Sequence, residues 1–500
     1  MRVRNAPPQA SLIFESLRGL GYTPATALAD LIDNSISANS KEVSVHIEWA
    51  DEDSWVRITD NGDGMDDSAL ETGMRLGAVD PRVERHANDL GRFGLGLKTA
   101  SFSQARRLTV ASKKRNGSIV CLRWDLDLIG LEAGAAWPLF EGPAPGSEHL
   151  LAPLENMEHG TLVLWEKLDR IVTDGYIATD LIELIDRVEA HLAMTFHRLL
   201  EGHTPEFRLI LNGRAVKPWD PFLMGHPSKA LESPEYRLLH TTGVTVQCHV
   251  LPHRDMLKSM ELEAAAGPAG WTQQGGFYVY RNKRLLLAGG WLGLGDGGKA
   301  WPRDEAHRLA RLRLDIPNSA DNEWKINVLK STASPPIKFR PQLHRLASET
   351  RALARRVFAL RGHIASTPTN RLKIVPETWQ VRRSAHGTSY RINHDHDLVA
   401  SVLSRAGSLK HDLLALLRLI EETVPVQRIW LDTAEDKETP RTGFAGASND
   451  EVMDTLLPMF EALVKFRGLS EIEARDRLGR TVPFDRYLGL ISTLEMSDTE

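Results

Sequence analysis

Apolar and polar positions follow two periods along the first 170 residues. Over 24–37, Ala25, Leu28, Ile32 and Ile36 share one stripe at about 100° per residue, while Asp30, Asp33, Asn34 and Ser37 share the opposite one. The segment predicts a helix with a solvated polar face, started by Thr23 as N-cap and Pro24 in its first turn. A first helix ends near Gly21. Residues 42–49 and 54–60 switch to a strand pattern around a polar turn. A short helix is expected over 66–76, a loop rich in glycine and charge over 77–95, and a further helix from Leu97 to Phe102. Leu108–Ser112, Ser118–Leu126 and Thr161–Trp165 read as strands.

A long amphipathic helix is expected over 176–200, then strands at Phe207–Leu211, Tyr236–Leu251, Gly276–Tyr280 and Leu309–Ile316. The pattern predicts an α+β chain in four parts: 1–170, a second α+β domain over 171–336, a basic helix (338–362) and linker over 337–395, and a mostly helical region over 396–500. The linker assignment rests on the Pro, Ser, Thr and Asn of 363–395.

Composition narrows the class. The chain has 500 residues, 42% hydrophobic and 25% charged, which fits a folded chain of about two to four domains. Its two cysteines, Cys121 and Cys248, exclude a disulfide scaffold and a multi-cysteine metal cluster. Glu15 and Arg18 interrupt the first apolar stretch, so no signal peptide is expected, and no run of apolar residues is long enough for a membrane span. A cytoplasmic location is expected. The net charge of −5 is uneven: residues 338–391 hold twelve Lys/Arg and two Glu, a balance of +10 against −15 for the remainder. That excess predicts salt-sensitive contact with a polyanion such as DNA.

Three motifs carry candidate chemistry. The first is the polar stripe of the helix at 24–37. The second is Asp60-Asn61-Gly62-Asp63-Gly64-Met65 directly after a strand. There a carboxylate can accept from an exocyclic amine while glycines let backbone approach a flat ligand. The third, Gly91-Arg92-Phe93-Gly94-Leu95-Gly96-Leu97-Lys98, precedes an apolar helix start and could offer N–H groups to an anion. Gly293–Ala300 nearly spells a P-loop but has Ala300 where a hydroxyl is required. His394 and His396 read as solvated linker residues rather than metal ligands.

In this order, with 26 residues from Asn34 to Asp60 and 31 from Asp60 to Gly91, the motifs resemble the ATP-binding (Bergerat) domain of the GHKL superfamily, which includes gyrase B, heat-shock chaperones, sensor histidine kinases and MutL. Gly160-Thr161 opening a strand fits a fourth element, and the resemblance spans about 10–170. It implies a Bergerat-type α/β sandwich that binds ATP and Mg²⁺. Asn34 would ligate the metal. Asp60 would hold the adenine amine, Gly62, Gly64 and Met65 would shape the purine pocket, and Thr161 would contact adenine. Gly91, Gly94, Leu95, Gly96, Leu97 and Lys98 would wrap the phosphates under a lid formed by 77–95. Asp30 stands where the family's general base stands. The family usually has Glu there, so the shorter acid implies slow turnover.

Residues 207–221 and 276–284 resemble the transducer domain of MutL, gyrase B and MORC proteins, and the 1–360 layout looks most like bacterial MORC/MutL-type ATPases. The resemblance implies a transducer lysine that reaches the γ-phosphate: Lys330, with Lys325 as the alternative. It further implies an ATPase acting as an ATP-gated homodimeric clamp on non-specific DNA held through 338–391, in DNA surveillance or phage defence, with 396–500 free to recruit partner proteins and no membrane involvement. The alternatives are a nucleotide-locked scaffold with little turnover and a heat-shock-type chaperone.

Overall fold

The computed structural model describes residues 9–77, 96–129, 137–202, 205–226, 231–238, 243–253, 256–317, 323–326, 333–359, 378–384, 387–429, 444, 447–481 and 483–496. The chain divides into two compact units, 1–362 and 363–500. The class is mixed α+β with a helical C-terminal region, as expected.

In the first unit, α1 (Ala10–Arg18) and α2 (Pro24–Ser37) precede β1 (Glu42–Glu48) and β2 (Trp55–Asp60). There follow α3 (Asp67–Met74), α4 (Gly96–Phe102), β3 (Arg107–Lys113), β4 (Ile119–Asp125), β5 (Phe140–Glu141), α5 (Ala152–Glu155), β6 (Gly160–Glu166), α6 (Ala178–Thr195), α7 (His197–Leu200), β7 (Arg208–Leu211) and β8 (Arg214–Ala215). The eight strands form one sheet in the order β5-β4-β3-β6-β2-β1-β7-β8. The β1–β7 pair is parallel and the other neighbours run antiparallel.

Strand phase fixes what faces the helices. Val43, Val45 and Ile47 are the buried positions of β1, and Val56, Ile58 and Asp60 those of β2. The register sets Val45 opposite Ile58 and Val43 opposite Asp60. Phe14 of α1, Leu28 and Ile32 of α2, Phe102 of α4, and Val188 and Leu192 of α6 pack with these aliphatic residues in one core. Asp60 therefore occupies the core phase of its strand, where an apolar residue would ordinarily sit. A smaller core of Leu150, Leu151, Leu154, Leu162 and Leu164 forms beside α5.

The second sheet of this unit draws on β9 (Leu231–Glu232), β10 (Tyr236–Arg237), β11 (Thr245–Val250), β12 (Gly276–Arg281) and β13 (Arg284–Ala288). The helices α8 (Ser259–Ala266) and α9 (Trp271–Gln274) fall between β11 and β12. After a short pair, β14 (Gly295–Asp296) with β15 (Lys299–Ala300), come β16 (Ala310–Ile316) and α10 (Arg340–Ala359). The order is β10-β11-β16-β12-β13, with β9 on β11 and with β12 and β16 parallel. The helix α10 lies against β11 and β16.

The first sheet extends past residue 170. Arg208–Leu211, expected in the second domain, pairs with β1, and α6 buries Leu181, Leu184 and Val188 in the first core. An apolar run shows that a strand exists but not which sheet it joins.

In the second unit, 378–392 departs from the expected linker: β17 (Trp379–Ser384) and β18 (Gly387–Ile392) form an antiparallel hairpin. The period-2 alternation of Trp379 and Val381, answered by Tyr390 and Ile392, outweighs the polar composition around it. The helices Asn449–Glu461 and Glu471–Gly479 supply much of this unit's core through Val452, Leu456, Phe460, Ala474 and Leu478. Among the described residues, no helix is long and apolar enough to cross a membrane.

Candidate functional site

The residues that the resemblance implies for adenine meet at the end of β2. Asp60 is 6% exposed. Ser35, on α2, donates its hydroxyl to Asp60 Oδ2 at 2.8 Å, and the Gly62 N–H donates to Oδ1 at 2.8 Å. Burial raises the Asp60 pKa, against the Gly62, Ser35 and Thr161 hydrogen bonds and the nearby His159. A carboxylate can accept about four hydrogen bonds, so beyond these three donors the group retains acceptor capacity.

Thr161 sits opposite Asp60 in the β2–β6 register and opposite Ser112 in the β3–β6 register. Its hydroxyl lies 2.9 Å from that of Ser112, and Ser112 Oγ also receives the Met65 N–H at 2.8 Å. Three adjacent strands thus bring Asp60, Thr161 and Ser112 together and tie Met65 to them. Two glycines are obligatory here. At Gly64, with φ +69°, a Cβ would lie 2.0 Å from the Lys113 carbonyl oxygen, and at Gly160, with φ +149°, 2.1 Å from that of Asp60. Ser35, Ser112 and His159, whose Nδ1 lies 2.6 Å from the Gly62 carbonyl, were not among the sequence candidates. The Ser35 position was visible as one turn beyond Leu31; its partner was not.

The second cluster lies on α2. Thr23 and Thr26 cap the helix reciprocally, each side chain meeting the other's backbone N–H. The stripe expected to be solvated is largely enclosed: Asp30 is 6% exposed and Asp33 0%, while Asn34 is exposed. Tyr22 donates its hydroxyl to Asp30 Oδ2 at 2.8 Å, and burial first, then the Asp30 charge, pushes its pKa up. Arg284, the first residue of β13 and itself buried, reaches both acids. Its Nε is 3.1 Å from each Asp33 oxygen, and one terminal nitrogen is 3.7 Å from Asp30 Oδ1. The other donates to the Leu285 carbonyl at 2.8 Å. Burial and the nearby Arg284 lower the His191 pKa to about 4, so this neighbour is neutral at pH 7.

Lys98 faces differently from the expectation. Its ammonium donates to the carbonyls of Gly73 and Arg75 at 2.7 and 2.8 Å, at the end of α3, and burial lowers its pKa to about 8. Gly96 and Leu97 open α4, and a Cβ on Gly96 would lie 3.9 Å from Asp30 Oδ2. Gly91, Gly94, Leu95, most of the 77–95 segment and Lys330 lie outside the described residues. Lys325 is exposed on a turn with φ +49°.

Residues fit for the implied ligands are therefore present. Asn34 offers a hard amide oxygen one turn from Asp30, the donor type that Mg²⁺ prefers. Asp60 is a buried acid with acceptor capacity remaining.

Residues 22–161 match the family model described as Histidine kinase-, DNA gyrase B-, and HSP90-like ATPase. The match begins at Tyr22 and ends at Thr161, so it covers the Asp60 corner and the α2 residues of the second cluster, while His191 and Arg284 lie beyond it. It supports a GHKL-type ATPase domain there, and with it ATP binding and hydrolysis in general terms. The second sheet and the MORC/MutL-like reading lie outside the matched span. No curated protein matches the chain.

Proposed function

We propose that the GHKL-type ATPase domain of this chain binds Mg-ATP with its adenine on Asp60 and hydrolyses it slowly with Asp30 as general base. The observation that carries this reading is Asp60: a carboxylate in the core phase of β2, held by Ser35, Gly62 and Thr161. Such an acid suits an exocyclic amine, and Thr161 and Ser112 add hydroxyls beside it.

Mg-ATP, when bound, supplies the phosphoanhydride that water cleaves. Asn34 would hold the metal. Asp30 would take the proton of the attacking water while Tyr22 holds its Oδ2 in one direction. An aspartate reaches roughly 1 Å less far than the family's usual glutamate, which accounts for slow turnover. Loop 77–95 would close over the nucleotide and Lys330 would join it, with Lys325 as the alternative.

On this reading the nucleotide state also controls dimerisation and DNA contact. The exposed Arg340, Arg345, Arg355 and Arg356 of α10 support the DNA side. Arg351 is buried, facing Trp291 at 4.4 Å and Trp301 at 4.7 Å, and Lys338 pairs with Glu323 at 3.0 Å. Fewer phosphate contacts follow than the raw charge of +10 suggests.

Calorimetry with ATP and Mg²⁺ tests the core of the proposal. Wild type should bind, and Asp60→Ala should weaken binding about tenfold to hundredfold, the loss of a hydrogen bond to a charged group. Equal heats from both proteins would refute the adenine assignment. Gel filtration and DNA retention with a non-hydrolysable analogue test the clamp. An analogue-dependent dimer that retains DNA in a salt-dependent way is expected, and a monomer under all conditions would reject it. Binding without phosphate release would favour the nucleotide-locked scaffold.

A further inference from the structure

Arg284, on the second sheet, reaches the candidate base. Asp30 and Asp33 stand three residues apart on α2, so their side chains are neighbours on one face. Two carboxylates enclosed side by side repel each other and lose hydration. Arg284 answers both from β13, and the Leu285 carbonyl holds its guanidinium from behind.

The two contacts differ in kind. At 3.1 Å to both oxygens, the Asp33 contact is hydrogen-bonded and anchors the guanidinium. At 3.7 Å, the Asp30 contact is an ion pair without a hydrogen bond. Asp30 is thereby held at both ends, by the Tyr22 hydroxyl on Oδ2 and the Arg284 charge beside Oδ1. The Asp30 hold is the looser of the two, and errors of about 1 Å in a catalytic group cost on the order of a hundredfold in rate.

We propose that Arg284 is a positioning residue: anchored on Asp33, it aims Asp30 and so couples the second sheet to ATP hydrolysis. This rests on the reading of Asp30 as general base. Arg284 touches no reacting atom; it acts through Asp30. The coupling is electrostatic and directional, so charge alone does not replace it. Lysine keeps the charge but loses the planar fork that meets two acids at once.

The test uses the full-length protein and four variants: Arg284→Met, Arg284→Lys, Asp33→Asn and the double Arg284→Met/Asp33→Asn. Three quantities are read: nucleotide Kd by calorimetry, single-turnover phosphate release, and the urea midpoint without nucleotide. Arg284→Met should slow hydrolysis about tenfold to hundredfold with Kd within about threefold of wild type. Arg284→Lys should recover part of the rate. Arg284→Met should also lower the urea midpoint, because Asp33 keeps a buried charge without its anchor. The double variant neutralises that acid, so its midpoint should rise again while its hydrolysis stays as slow as that of Arg284→Met. A merely structural Arg284 would instead regain rate together with stability. Wild-type turnover in the double variant, or in Arg284→Met, would overturn the coupling while Asp30→Asn remains inactive. An Asp30→Asn protein as fast as wild type would overturn the base assignment and this proposal with it.

Discussion

The Asp60 corner, proposed to hold adenine, and the Asp30 face of α2, proposed to hydrolyse, are built on different principles. The corner closes within one sheet and the helix laid on it. Asp60, Thr161 and Ser112 are cross-strand neighbours, and Ser35 lies 25 residues from Asp60 in sequence. The hydrolytic face is incomplete without a second sheet, because Arg284 is 251 residues from Asp33. A site closed by its own strands is preformed. A site closed by a hairpin from elsewhere depends on where that hairpin stands. On the proposed reading, the difference would give constant nucleotide recognition to the first region and adjustable turnover to the second.

The largest effect that would test this division is expected from Asp30→Asn. Removing a general base lowers turnover by about a hundredfold to ten-thousandfold. The nucleotide Kd should stay within about threefold of wild type, because the Asp60 corner is untouched. Phosphate release and calorimetry on the same preparation decide it. Losses of similar size in affinity and rate would mean that the two regions are not separable.

Gly64→Ala attacks the other side. A methyl group 2.0 Å from the Lys113 carbonyl oxygen, on a backbone at φ +69°, forces the turn away from β3. Strain of this kind costs about 1–3 kcal/mol and should lower the melting midpoint by several degrees. Because Met65 is tied to Ser112, ATP affinity should fall with it, while turnover of the bound fraction is preserved. Unchanged melting and affinity would show that the corner tolerates movement.

Legibility in the sequence divides along the same line. The Asp60 turn could be read because a period-2 strand ends in an acid followed by two glycines, all local signals. The helix at 24–37 could be read too, but the fate of its polar stripe could not. A helical wheel reports that Asp33 is polar; it does not report that an arginine from β13 covers it, and so Asp33 was expected in solvent and is fully buried. The same reason hid the sheet membership of Arg208–Leu211, which depends on a parallel pairing with β1 across α2-to-α6 packing. At 378–392 the polar composition predicts a linker, whereas the alternation of Trp379 and Val381 opposite Ile392 and Tyr390 builds a hairpin.

A smaller effect is expected from Tyr22→Phe. The change removes one orienting hydrogen bond of 2.8 Å from Asp30 Oδ2 and leaves the ring in place. A bond of that kind contributes about 0.5–1.5 kcal/mol, or roughly threefold to tenfold in rate. The loss should appear in turnover and not in Kd. A change confined to Kd would place Tyr22 on the binding side of the comparison.

Lys98 gives the most specific signal, because it reports whether the proposed phosphate side is preformed as the proposed adenine side is. Its amine now donates to the Gly73 and Arg75 carbonyls, and burial holds its pKa near 8 against an ordinary 10.5. The sign follows from proton counting. Between about pH 8 and pH 10.5 the unfolded chain binds the proton more often than the folded one, so stability rises with pH across that window. The contribution is complete above the unfolded value and is lost as pH falls through the folded value. Lys98→Met has nothing to titrate. The wild-type urea midpoint, taken as a difference from the variant, should therefore be larger at pH 9.5 than at pH 7.5 by a measurable step, with the other titrating groups cancelling in the difference. Saturating ATP should shrink that step, because an anion drawing the amine outward favours its charged form. A step that persists undiminished with ATP bound would leave Lys98 a structural residue of α4 and remove it from the phosphate side altogether.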